Sequence, residues 1–198
     1  MTKRALKLGL LSALISTALT TGVANAELIS NTPLDASRFE LMDIQTLTQQ
    51  AQAGNTQAQF FLAMRLQKGQ GVKKNAEQAA YWYTRAAEQG IAPAQLNLGI
   101  MYLRGEGVKA DMATARSWLE KAAHLGDNRA SYALAVLDER ENRMVDAYKW
   151  YDLSARDAML DDKVRDKART KIGELALNLS SSDIDNAKRQ ANSWFQNK

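Results

Sequence analysis

The sequence predicts an all-α fold, an α-solenoid of helix-turn-helix repeats with capping helices at its N- and C-terminal ends. Three observations carry this prediction. Residues 94–126 can be laid over the residues 36 positions earlier, so that Ala58, Leu62, Gly69, Gly71, Val72, Trp82 and Gly90 meet Ala94, Leu98, Gly105, Gly107, Val108, Trp118 and Gly126. Each period holds two apolar patterns at helical spacing, the arrangement in which a unit buries its apolar face only against its neighbours. The chain of 198 residues has no cysteine, so helix packing and not disulfides must hold it together.

Taken in order, residues 1–26 begin with Lys3, Arg4 and Lys7, continue through an apolar run from Leu8 to Leu19 and end Ala24-Asn25-Ala26. These are the three parts of a secretory signal, and the apolar run is too short to span a bilayer. No cysteine follows it to take a lipid. Residues 27–37 contain Asn31, Thr32 and Pro33 without periodicity and read as a flexible lead-in. From Arg38 a helical pattern of Leu41, Ile44, Leu47 and Ala51 forms half a repeat over 38–54, which caps the open end of the stack.

Full repeats are expected at 55–90 and 91–126. In the second, Pro93 to about Arg104 reads as a first helix, with Pro93 near the start, where no donor is required. Gly105 and Gly107 stop it by taking left-handed backbone angles. Asp111, like Asn75 in the previous copy, stands one residue before the second helix, where its side chain can accept from an unpaired backbone N–H. That helix carries Ala115, Trp118, Leu119, Ala122 and Ala123 and ends at Gly126. A weaker repeat is expected at 127–158: Ala130, Leu134 and Ala135 keep the register, but Ala147, Trp150 and Ala155 arrive four residues early. A polar turn, Asp138 to Asn142, replaces the glycine linker. Over 159–198, Val164, Ala168, Ile172, Leu175 and Leu179 mark one long helix from about Asp161. The serines at 180–182 break it and start a final helix with Ile184, Ala187, Ala191 and Trp194.

The pattern A-x3-L-G-x2-Y-x2-G-x-G-V-x3-D, followed by A-x2-W-x3-A-A-x2-G, resembles the Sel1-like repeat, a relative of the tetratricopeptide repeat. Residues 94–126 fit nearly every position; residues 58–90 have Ala63 for the first glycine and Leu66 for the tyrosine. The resemblance implies an adaptor or assembly role through protein contacts.

Charge excludes one class of partner. Residues 1–26 carry three of the 26 basic residues and no acidic one, leaving 23 basic against 22 acidic, a near-neutral balance that gives no reason to propose nucleic acid. The expected location is periplasmic or secreted, with no stable membrane anchor. The basic cluster from Lys163 to Lys171 is diluted by Asp161, Asp162, Asp166 and Glu174 and reads as a solvated helix surface.

Catalysis has little to stand on. The lone histidine, His124, falls near a helix C-terminus, a favourable charge–dipole or solvated position. The Gly-x-Gly pairs close helices and do not follow strands, so they are turns and not phosphate loops. Asp161 with Asp162, and Glu139 with Glu141, are neighbours that no pocket brings together. The protein is therefore read as a non-enzyme without cofactor or metal. Trp82, Trp118 and Trp150 belong to the repeat and are assigned to the core.

What remains is the surface of the stack. In helical solenoids the first helices of successive pairs line a concave face, and Phe61, Asn97 and Ala133 stand one period apart. Adding the next turns gives a candidate partner-binding groove of Phe61, Arg65, Asn97, Met101 and Arg104: two apolar contacts, an amide for peptide backbone and two guanidinium groups able to fork onto carboxylates. The competing expectation is that Phe61 and Met101 pack in the core. The leading function is a scaffold for a protein or peptide partner. The alternatives are a cell-wall-directed enzyme or ligand-binding protein, and an accessory subunit of a flagellar stator or other envelope complex.

Overall fold

A computed structural model describes residues 36–156 and 161–194, and the expected signal and most of the lead-in lie outside them. Among the described residues the secondary structure is helical. The elements are α1 (Ala36–Glu40), α2 (Ile44–Gln52), α3 (Thr56–Lys68), α4 (Ala76–Glu88), α5 (Ala92–Arg104), α6 (Met112–His124), α7 (Asn128–Arg140), α8 (Met144–Ser154), α9 (Asp162–Ala176) and α10 (Ser181–Ser193). Helices α3/α4, α5/α6 and α7/α8 pack as pairs, each second helix then packs against the next first helix, and α9 and α10 both close against α8.

The repeat punctuation works as its chemistry requires. Asn75 and Asp111 accept from backbone N–H groups of the helices that follow, and Gly69 and Gly105 cap α3 and α5 at φ 72° and 66°. In the third repeat Asn142 takes the left-handed position at φ 59°, in place of a glycine. The core is continuous along the stack. Leu98 and Leu134 are fully buried, as is Leu62 nearly so, in one register position per repeat. Each such side chain contributes about 1.5–3 kcal/mol by leaving water.

Several expectations are corrected. The helix expected from Arg38 is two helices, because Asp43 caps α2 by accepting from the Thr46 N–H, leaving Leu41 in the break at 88% exposure. The long C-terminal helix ends at Ala176, so Leu179 lies beyond it. Trp150 is buried, but Trp82 and Trp118 are only half-buried, with the Lys121 ammonium 4.0 Å above the Trp118 ring. His124 is neither merely solvated nor merely a dipole partner: its ring stacks on Trp194 at 3.9 Å and joins α6 to the end of α10.

A buried device recurs that the sequence reading did not single out. Gln59 of α3 donates to the Ala51 carbonyl at 3.2 Å, and Gln95 of α5 donates to the Ala87 carbonyl at 3.0 Å. The two residues are one period apart. Each joins a first helix to the end of the second helix before it, adding a second donor to a last-turn carbonyl that already accepts from the glycine N–H that follows, Gly54 or Gly90.

Candidate functional site

The first helices α3, α5 and α7 present equivalent residues at intervals of 36, and each helix has three working faces. On α5, Ala94, Leu98 and Met101 join the core shared with the first repeat, whereas Leu96, Ile100 and Leu103 pack toward the third. Between these two seams lies a strip whose side chains the neighbours cover only in part. It contains Asn97, Ile100 and Arg104 on α5, with Met64 and Lys68 equivalent on α3, and Ala133, Val136 and Arg140 on α7. The strip follows i, i+3, i+7, one narrow line on a helix of 3.6 residues per turn.

That line relocates part of the expected groove. Met101 stands at i+4 from Asn97 and turns into the seam with the preceding repeat, where it is fully buried. Arg65 stands at the same register on α3. With no full repeat before it, its guanidinium is taken by the N-terminal cap, donating to the carbonyls of Met42 at 2.5 Å, Phe39 at 3.1 Å and Glu40 at 2.5 Å. Phe61 is 3% exposed beneath Phe39, their rings stacked with centroids 5.6 Å apart. Phe61 and Met101 are thus packing residues that do not line an open surface, whereas Arg65 holds the N-terminal cap and still borders a cleft beside Met64 and Lys68.

Asn97 and Arg104 remain on the strip. The Asn97 amide is half-buried beside the hydroxyl of Tyr83, whose pKa burial pushes up and which donates to Gln67 Oε1 at 3.0 Å. Arg104 is exposed. The strip also contains Met64, Ile100 and Val136, which sequence reasoning missed. Their signal was available in the register: an aliphatic or thioether side chain recurs at 64, 100 and 136, one turn before a basic one at 68, 104 and 140.

A second polar constellation forms where α6, α7 and α8 meet. Asp138 is 1% exposed and accepts from Arg116 Nη2 at 2.5 Å and from the Arg143 guanidinium, which also pairs with Glu141. The hydrogen bond to Asp138 holds the Arg143 pKa above its ordinary value. The Asp138 carboxylate, in the last turn of α7, faces the polar turn that replaces the glycine linker and joins three helices. At a cleft of about 740 Å³ bordered by Tyr102, Val108 and Met112, the one carboxylate is Asp111. Hydrogen bonds from Thr114 hold its pKa below the ordinary carboxylate value, and it caps α6, so its task there is structural. Among the described residues no three of His, Asp and Glu gather as metal ligands would, and no helix is long and apolar enough to cross a membrane.

Comparison with known proteins agrees with this architecture. The Sel1 repeat family matches residues 56–91 and 92–127. A Sel1 repeat protein from Oxalobacter formigenes, known from its crystal structure, is 33% identical, with 66% of this chain and 99% of that one covered and a TM-score of 0.54. A protective antigen of uropathogenic Escherichia coli strains displaying an SLR fold is 26% identical over 77% of this chain and 40% of its own, with a TM-score of 0.47. No curated protein matches the chain. With two consecutive matched repeats and near-complete coverage of a solved relative, the chain belongs to the Sel1 repeat proteins.

Proposed function

We propose that this Sel1 repeat protein is an exported, non-catalytic scaffold that holds a partner protein on the strip formed by α3, α5 and α7. The observation that carries the reading is the strip itself. Met64, Ile100 and Val136 are left partly exposed at one register position, while Leu62, Leu98 and Leu134, two positions earlier, are buried. Apolar side chains aligned along one surface of a solenoid, flanked by charge, are the chemistry of a protein-binding face. Export rests on the sequence of residues 1–26, whose basic start, apolar centre and Ala-x-Ala end fit a cleaved signal.

The test is photocrosslinking in intact cells from a reactive residue at Ile100, with Glu77 on α4 as the control position. A discrete protein captured from Ile100 and not from Glu77 supports the scaffold reading and identifies its client. Capture of no protein from Ile100, with the variant folded and expressed, contradicts it.

A further inference from the structure

The strip has a charge as well as an apolar character, and the charge recurs. Lys68, Arg104 and Arg140 stand in the last turn of α3, α5 and α7, one period apart, and all three are exposed. Among the described residues their side chains make no hydrogen bond or ion pair. The contrast lies within the same stack, where Arg116, Arg129, Arg143, Lys149 and Arg156 each hold a carboxylate. A helix dipole favours a cation in the last turn, but it does not choose an azimuth. On α6 the last-turn Lys121 lies over Trp118. On the first helices the cation stands four residues after Met64, Ile100 or Val136 and so shares their face.

Two clefts repeat the same pairing. Met64 and Lys68 border one of about 600 Å³ with Leu41, Arg65 and the exposed Glu40, which makes no ion pair with Lys68, and Val136 and Arg140 border another of about 350 Å³ with Tyr132. The nearby Glu139 is already engaged by Tyr151 and Lys171. The face therefore offers three aliphatic contacts beside three unneutralised cations.

We propose that this face binds an extended acidic segment of a partner protein, in which carboxylates meet Lys68, Arg104 and Arg140 while aliphatic side chains rest on Met64, Ile100 and Val136. The inference rests on the scaffold reading above and adds the chemistry of the client. An extended chain advances about 3.3 Å per residue, so a segment of about a dozen residues reaches about 40 Å along the face. The apolar row favours a peptide over a nucleic acid, which would neutralise the cations and leave Met64, Ile100 and Val136 uncovered.

The probe is a fluorescein-labelled peptide of four Glu-Leu-Ser units, titrated with the purified full chain and followed by anisotropy. The expected result is binding at least tenfold tighter than to the Lys-Leu-Ser counterpart, weakened at least threefold between 50 and 300 mM NaCl. Arg104→Glu and Arg140→Glu should each weaken it at least fivefold. Lys163→Glu, the same charge change at an exposed site on α9, should leave it unchanged, and circular dichroism establishes that each variant is folded. Equal binding of both peptides, indifference to Arg104→Glu, or equally tight binding of an oligothymidylate of the same charge would overturn the proposal. So would a tenfold gain in affinity on changing Glu27 and Asp35 to Lys, because the face would then belong to the chain's own N-terminal segment. A client captured from Ile100 whose binding ignores these charges would sink this inference and leave the scaffold reading standing; capture of no protein there removes both.

Discussion

Gly107 lies against the first turn of α4, where a Cβ at this position would stand 2.1 Å from the carbonyl oxygen of Ala76. The linker of the second repeat is thus seated on the helix of the first, and Lys74 and Glu106 pair at 3.7 Å across the same junction. Glycine is needed here twice, for its φ of 72° and for the missing side chain.

Substitution at the two equivalent glycines separates these requirements. Gly107→Ala should cost about 3 kcal/mol, combining left-handed strain with a displaced backbone contact. Gly71→Ala has the same strain at φ 68° but nothing within 4 Å, and should cost about 1 kcal/mol. Urea denaturation of both variants measures the difference. Equal losses would mean that the contact with Ala76 contributes nothing.

The buried glutamines also differ in a checkable way. Gln59 is satisfied at both ends, because its Oε1 accepts from Gln89 at 2.9 Å, whereas Gln95 Oε1 is buried without a partner. Gln59→Met therefore removes two hydrogen bonds and should cost about 1–3 kcal/mol, although the Ala51 carbonyl keeps the Gly54 N–H and the Gln89 amide keeps the Arg85 carbonyl. Gln95→Met removes an unpaired oxygen together with one bond and should change stability by less than about 1 kcal/mol. Denaturation midpoints of the two variants give the comparison.

Asp138 is the polar anchor of the third repeat. Asp138→Ala removes its bonds to Arg116 and Arg143, but those side chains are 24% and 41% exposed and remain solvated. The loss should be about 1.5–3 kcal/mol, below the cost of stranding a fully buried charge. Because the carboxylate is buried, the effect should persist in 0.5 M NaCl when followed by thermal unfolding.

Acid sensitivity follows from the caps. Asp43 and Asp111 have pKa values lowered chiefly by side-chain hydrogen bonds from Thr46 and Thr114. A carboxylate depressed in the folded state contributes stability above its unfolded pKa and loses it as the pH falls through the folded value. The unfolding temperature should therefore drop below about pH 4. In the Asp43→Asn/Asp111→Asn variant the caps persist without titrating, so the drop should be shallower. An identical acid profile would remove these two groups as its cause.

The repeats were legible because their period is carried by residue types that few others can replace at their posts: Gly105 at a left-handed cap, Asn75 and Asp111 at helix starts. The strip was harder to read. From Asn97 the next turn contains both Ile100 and Met101, and sequence spacing alone does not say which side the neighbouring repeat covers. Burial of Met101 decides it. Phe61 and Arg65 misled for a different reason: their partners, Phe39 and the carbonyls around it, come from a five-residue helix too short to leave a periodic signal. His124 and Trp194 are 70 positions apart, and only the closing of α10 brings them together.

The central claim, that the strip on α3, α5 and α7 is where a partner sits, is tested most directly by cysteine labelling, since the chain has no cysteine of its own. Ala133→Cys places a small reporter on the partly exposed strip, and Glu77→Cys places one on exposed α4. The account predicts that maleimide modifies both readily in the purified protein and that Ala133→Cys alone is slowed at least fivefold in intact cells. Equal rates at the two positions in cells would contradict it.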